Sequence, residues 1–206
     1  MTAQRGSQSR SHARRATGIL RCPACGNTLK ADAKWCPTCN FTGGDSLAIF
    51  PGAAPPLLPI SDPLGLLNTS GLRKISRTRD KLIRRFPQFQ WRISIDRLAI
   101  DTPLPLLGFW LLNASPLHGD ETAEQRAWTV LLVVNAEHGK VAVAAGYAAE
   151  TCISDDEWKT VLSTMAAPWA AGNPSAAICQ FFDTTRRHLE RNWIRSGNQA
   201  MNQRQP

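Results

Sequence analysis

Hydrophobic positions follow two different periods along this chain. From Val130 to Val134 five apolar residues, rich in β-branched types, run without a break, which predicts a strand covered on both faces. Gly139 permits a turn, and Val141 to Ala145 supply the return strand. Gly146 ends that strand, so Tyr147 and Glu150 are expected in a loop just outside the sheet, where α/β proteins tend to place their ligands. Upstream, Phe89, Trp91, Ile93 and Ile95 alternate with Gln90, Arg92 and Ser94, the pattern of a strand with one less buried face.

The remaining apolar residues recur at helical spacing. Ser70 to Phe86 sets Leu72, Ile75, Leu82, Ile83 and Phe86 against Arg73, Arg77, Lys81 and Arg84, predicting an amphipathic helix with a basic outer face. Thr102-Pro103 opens a second helix through Leu106, Leu107, Trp110 and Leu111. Ser154-Asp155-Asp156-Glu157 reads as a capping box before Trp158, Val161, Leu162 and Met165. Pro168 and a Gly172-Asn173-Pro174 turn precede a last helix, Ser175 to Trp193, expected to bury Ile178, Phe181, Phe182, Leu189 and Trp193. Helices and strands in this order predict an α/β fold.

Composition breaks divide the chain into five parts. Residues 1–18 carry Arg, Ser and Gln with too little apolar surface to bury, so a disordered basic tail is expected. Residues 19–44 hold the cysteine motifs described below. Residues 45–67 contain five prolines and a Gly-Ala-Ala-Pro-Pro run, which predicts an irregular linker, with its Leu and Ile content laying part of it against a domain surface. The main domain spans 68–195, and 196–206 reads as a disordered polar tail. Within the domain, Ala114 to Arg126 is expected to be a long polar loop whose His118, Asp120, Glu121 and Glu124 serve either solubility or a cation site.

The sharpest motif is Cys22-Pro-Ala-Cys25-Gly26, repeated as Cys36-Pro-Thr-Cys39-Asn40. Each Cys-x-x-Cys brings two thiolates toward one metal, the proline presets φ inside the turn, and Gly or Asn can take the left-handed conformation that follows. Together they supply the four sulfurs of a closed tetrahedral Zn2+ site, a structural zinc ribbon with no open coordination position for catalysis. The short gap between the two motifs implies a minimal ribbon with one short hairpin and Leu29 and Trp35 over the metal. Two disulfides or a redox pair would use the same residues, but a reducing compartment and the duplicated motif favour zinc. Cys152 and Cys179 are left over; both read as small buried hydrophobes, and Cys152 alternatively as a reactive thiol near the 146–156 loop.

With 206 residues, 43% of them hydrophobic and 19% charged, the chain can bury one sizeable core plus a small module, not two large domains. No apolar run is long enough to cross a membrane, and the start carries no secretory pattern, so a cytoplasmic protein is expected. The net charge of +8 is concentrated in the tail (Arg5, Arg10, Arg14, Arg15, Arg21) and between Arg73 and Arg97. Such clusters are either solvated surface or a site for a polyanion such as nucleic acid.

Several short motifs, taken in order, resemble the TPM domain, a family that includes thylakoid-lumen proteins of photosystem II repair and bacterial phosphatase-like relatives. They are Leu112-Asn113 followed by Gly119, Val130-Leu-Leu-Val-Val-Asn135, Gly146-Tyr-Ala-Ala-Glu150, Ile153-Ser-Asp155, and Pro168-Trp followed by Gly172-Asn173. Family members read Leu-Leu-Val-x-Asp, Gly-Tyr-Gly-x-Glu, Leu-Thr-Asp, and Pro-x-Phe followed by Gly-Asp at these points. The resemblance covers about residues 68 to 195 and implies a three-layer α/β/α sandwich, with a divalent-cation or phosphate-ester site near the hairpin end in some members. It assigns Glu150 and Asp155 as candidate ligands for Ca2+ or Mg2+. Asn135 and Asn173 stand where acids are common, and Ala148 replaces a glycine. Each Asn keeps an oxygen donor but loses the charge a hard cation needs, so binding is expected to be weak.

No activated nucleophile is recognisable, and none of the histidines at 12, 118, 138 and 188 is assigned to catalysis. Three functions remain: a ribbon-tethered binding or assembly module for a protein partner, a metal-dependent phosphomonoester hydrolase, and a nucleic-acid-associated protein.

Overall fold

The computed structural model describes residues 20–30, 33–117 and 121–202. The tail 1–18 and residues His118 to Asp120 of the polar loop lie outside the described residues, as do 203–206.

The cysteine module opens with β1 (Leu20–Arg21) antiparallel to β2 (Thr28–Leu29), so its hairpin encloses the first knuckle rather than bridging the two, as expected from the gap. The stretch 45–67 departs from the irregular linker. It carries α1 (Asp45–Ile49) and β3 (Ile60–Ser61), and it buries Ala54, Leu57 and Leu67. The prolines do not prevent this because β3 is an edge strand, where a missing N–H is tolerated. Pro59 even serves the ladder through its carbonyl, which accepts from Ile93 N at 3.2 Å.

α2 (Thr69–Arg85) is capped by Asn68, whose Oδ1 accepts from Gly71 N at 2.8 Å. It leads into β4 (Gln90–Asp96), which alternates half-buried and buried positions as its sequence requires. α3 (Leu104–Ala114) then crosses to the opposite face. The expected polar loop is interrupted by α4 (Ala123–Ala127), started by a Thr122–Gln125 capping box that shortness concealed. β5 (Thr129–Asn135) and β6 (Lys140–Ala145) form the hairpin. α5 (Asp155–Ser163), α6 (Ala166–Ala170) and α7 (Pro174–Asn202) complete the chain. α7 runs past the expected helix end at Trp193, since nothing after Trp193 breaks a helix except Gly197, which costs only about 1 kcal/mol.

The sheet order is β3-β4-β5-β6, with β3, β4 and β5 parallel and β6 antiparallel. Trp91, Ile93 and Ile95 of β4 and Val130, Leu132 and Val134 of β5 face the layer made by α2, α5, α6 and α7. Leu131 and Val133 face α3 and the 50–57 segment. The three-layer sandwich is thus present, its sheet flanked by helices on both faces. Gly108 lets α3 lie directly on β6, since a Cβ there would meet the Ala144 Cβ at 2.7 Å. Trp193 was expected to be buried; it rests against Phe86 but stays 54% exposed.

The loop after Gly146 is pinned from both sides. Gly146 N donates to Thr129 O, and Ala148 N and Ala149 N both donate to Ala127 O. A Cβ at Gly146 would stand 2.5 Å from Ala127 O, so the glycine is required by close approach. Because Gly146 meets the first residue of β5, this loop lies at the amino ends of the parallel strands, not at the carboxyl ends that fold-level expectation favoured. At the far side of the loop, Glu157 closes the capping box with Ser154 and also accepts from Asn192 Nδ2 at 3.0 Å, beside His188 Nδ1 at 3.1 Å. Asn192 Nδ2 reaches Cys152 O as well, so α7 holds the loop and α5 together.

The Glu157 carboxyl is held down at about 2; burial alone would raise it, but donors from Ser154, His188 and Asn192 outweigh that effect. Its contribution to stability is therefore fully present above the unfolded value near 4.5 and is lost as pH falls toward 2. Glu157→Gln is expected to cost about 1–2 kcal/mol at pH 7, checked by urea unfolding. The gap between variant and wild type should shrink steadily below about pH 4.5.

Candidate functional site

The two knuckles are built alike. Cys22 N donates to Asn27 O and Gly26 N to Cys22 O, while Cys36 N donates to Phe41 O and Asn40 N to Cys36 O, all at 2.8 Å. Gly26 (φ 74°) and Asn40 (φ 59°) take the left-handed conformation their positions call for. All four sulfurs lie within 4.8 Å of one another, with Cys22–Cys39 and Cys25–Cys36 at 3.6 Å. Sulfurs at about 2.3 Å around a tetrahedral Zn2+ stand about 3.8 Å apart, so the donor set and spacing fit such an ion. Cys22 and Cys36 are buried, and Cys25 and Cys39 are exposed. Trp35 is 58% exposed and lines a cleft.

That cleft, about 870 Å³, lies between the cysteine module and the main domain. One wall comes from Arg21, Pro23, Leu29 and Trp35, the other from Phe109, Leu112, Tyr147, Glu150 and Asp155. Phe41 meets Phe109 edge-on at 6.0 Å, which seats the module on α3. The Arg21 guanidinium spans the gap, with Nη1 donating to Gly26 O at 3.1 Å and Nε paired with Asp155 Oδ2.

Glu150 and Asp155 are brought together on one wall. Burial raises the Glu150 carboxyl above its usual range, the Arg21 backbone N–H lowers it, and the Asp155 charge raises it again. Asp155 opens α5, where an acid is stabilised by the helix dipole, so it has a local duty besides its pairing with Arg21. Asn135 is not part of this group. It lies at the other end of β5, paired with Lys140 and Asp96, and its buried amide donates to Leu98 O at 2.9 Å. Asn173 starts α7, accepting from Ala176 N at 3.0 Å. Both asparagines are occupied as structural hydrogen-bonders.

The charge pattern grouped Arg21 with the tail arginines, as solvated surface or a polyanion site, and gave Arg126 no role. Arg126 bonds both Glu121 oxygens at 2.8 Å and the carbonyls of Leu112, Ser115 and Pro116, closing the end of α3. A mid-loop arginine five residues after a glutamate was the only available signal. Cys179 is buried as expected, and Cys152 is half-buried with its thiol pushed up by that burial, which disfavours the reactive thiolate.

Chemically, this wall presents two carboxylates, Glu150 and Asp155, to the cleft. Among the described residues no helix is long and apolar enough to cross a membrane. No curated protein matches the sequence. Residues 118–187 match the TPM domain family, a span that includes β5, β6, Glu150, Asp155 and the first half of α7 up to Arg187. The cysteine module and Arg21 precede the matched span. Residues 118–187 thus carry a match to the TPM domain, and ahead of them the chain holds a four-cysteine cluster able to hold a metal ion such as zinc.

Proposed function

We propose that this protein is a binding or assembly module in which a structural zinc ribbon, tethered to the TPM domain, forms one wall of the binding cleft. The observation that carries this reading is Arg21, which lies in the ribbon and occupies the cation position at Asp155. A ribbon that supplies the counter-ion of the domain's acid pair suits a protein whose cleft selects a partner. It suits an open metallo-hydrolase poorly, because Arg21 already engages Asp155 and the thiols that line the cleft, Cys22 and Cys36, belong to the four-cysteine cluster. Six cysteines without a disulfide suit a reducing compartment, here the cytoplasm. Any Ca2+ or Mg2+ at Glu150 and Asp155 would be held by two carboxylates, one of them engaged by Arg21, too few for tight binding.

A second reading is supported by α2. Arg73, Lys74, Arg77, Lys81, Arg84 and Arg85 are exposed and make no ion pair among the described residues. Ile75 and Leu82, on the apolar face, are buried in the core, so this helix cannot insert into a lipid surface. A polyanion is the remaining partner for the stripe. If so, the variant Arg77→Glu/Lys81→Glu should lose heparin retention and flatten its salt dependence; an unchanged slope would leave the stripe as solvated surface.

One Zn2+ per chain is expected through Cys22, Cys25, Cys36 and Cys39. Elemental analysis after purification without chelator should give close to one equivalent, and Cys36→Ser less than half. Chelation should unfold the ribbon, whose folding energy the metal supplies, and leave the domain's cooperative transition in place.

Calcium or magnesium titration of the zinc-loaded protein should give dissociation constants no tighter than millimolar. Arg21 and Asp155 are 44% and 47% exposed, so their pairing is worth at most about 1 kcal/mol, and Arg21→Ala should tighten cation binding no more than about fivefold. Glu150→Gln should abolish it at little cost in stability. Hydrolysis of a generic phosphomonoester is expected at or below detection; robust metal-dependent turnover, lost in Glu150→Gln with the fold intact, would establish the phosphatase instead.

A further inference from the structure

β6 closes one side of the sheet, and its outer edge is open. Gly146 N donates to Thr129 O, which fixes the phase of the ladder: Ala142 and Ala144 bond to β5, while the N–H and C=O of Val141, Val143 and Ala145 point away from it. None of these outward groups has a hydrogen-bond partner among the described residues. The devices that keep such an edge from pairing are missing as well. No bulge breaks the register with β5, the strand contains no proline, and its single charge, Lys140, stands at its start with Nζ bonded to Ile100 O at 2.7 Å.

This edge also lines the cleft beneath the ribbon. Val143, Ala144 and Ala145 border it, with Phe109 and Leu112 of the α3 layer to one side and Ile153 and Trp158 of the opposite layer to the other. An added strand would set alternate side chains against these two apolar flanks. Trp35 and Tyr147, 58% and 50% exposed, supply further apolar surface for it to cover. The charges of the cleft largely cancel in place, Arg21 with Asp155 and Arg126 with Glu121, leaving Glu150 on the domain wall and Lys34 on the ribbon wall. That balance suits a protein segment of little net charge and not a nucleic acid, which needs an excess of cations. Arg21 and Trp35 of the ribbon face the edge across about 870 Å³. This space admits one extended segment but not the edge of a second copy, whose helical layers are each about 10 Å thick.

We propose that the outer edge of β6 is the docking site for an extended segment of a partner protein, a largely apolar strand of low net charge that pairs with Val143 and Ala145 beneath the ribbon. The inference rests on the reading of the cleft as a binding site and names its ligand. Main-chain hydrogen bonds supply the affinity, and the two flanks select side chains at alternate positions.

The test is selection of binders to the full-length protein from a displayed library of random decapeptides, followed by amide exchange with a synthetic selected peptide. Bound peptide should slow exchange at Val143 and Ala145 at least about tenfold and leave Ala144, already bonded to β5, unchanged. Methylating the peptide's backbone nitrogens one at a time should weaken binding at least about tenfold at alternate positions only, because every second N–H of an added strand faces β6. Val143→Pro removes one outward donor at a place where an edge strand tolerates proline, and should weaken binding by a similar factor. The methylated peptides carry the test if that variant fails to fold. Trp35→Ala separates this inference from the reading beneath it. Binding weakened by Trp35→Ala but indifferent to methylation and to Val143→Pro overturns strand pairing and leaves the cleft as a binding site, whereas failure to select any peptide sensitive to Trp35→Ala overturns both. Protection of the Val143 and Ala145 amides without peptide also overturns the proposal, assigning the edge to residues 1–18 if their deletion restores exchange and to a second copy if dilution does.

Discussion

The structure depends on the burial of β5. Every residue from Thr129 to Asn135 is buried, so this strand must be covered on both faces and paired on both edges. Leu131 and Val133 bury into the α3 layer, Val130, Leu132 and Val134 into the α2/α5/α7 layer. At about 25 cal/mol per Å² of apolar surface, removing either cover would expose side chains worth about 1.5–3 kcal/mol each. The approach of Gly108 to Ala144 and that of Gly146 to Ala127 follow from this demand, because layers that must seal a central strand leave no room for a Cβ at those points.

How much could be read in advance follows from the same constraint. An unbroken apolar run announces a doubly covered strand, and the alternation in Gln90–Asp96 announces its neighbour, so the hairpin and the flanking helices were legible, while the three layers came from the family resemblance. The cysteine spacing fixed its four sulfurs because a short loop leaves few ways to arrange them. What escaped were elements too short to show a period. β3 has two residues and α4 five; β3 is held by its pairing with distant β4, and α4 by a local capping box together with bonds from Ala148 and Ala149 to Ala127 O. A proline-rich segment reads as linker until tertiary contact supplies a partner strand.

The site was half legible. Glu150 and Asp155 were placed on one wall, but the side of the sheet was misjudged, since the rule about carboxyl ends applies to parallel strands and the loop leaves an antiparallel one. Asn135 was grouped with them through family motifs, although seven residues of extended strand separate the ends of β5 by about 20 Å. Arg21 could not have been foreseen, because its partner Asp155 is over a hundred residues away and a tail arginine carries no signal of a contact.

The pairing of Arg21 with Asp155 is too exposed to hold the ribbon against the domain. An ion pair of this kind is worth at most about 1 kcal/mol, whereas a structural zinc held by the four sulfurs would supply on the order of 10 kcal/mol to the folding of the module. Arg21 immediately precedes Cys22, so once the four sulfurs close around a metal the position of the arginine follows from covalent geometry, with the Gly26 carbonyl fixing its orientation. The ordering cost of a long flexible side chain is then met largely by the metal, and little of the weak electrostatic gain is spent on it. Seating on the domain falls to apolar contacts, Phe41 on Phe109 and, just after the module, Phe50 on Trp110 at 5.3 Å. A metal held by the four sulfurs would therefore fix the ribbon's shape, aromatic packing fixes its place, and the arginine sets the charge on that wall of the cleft.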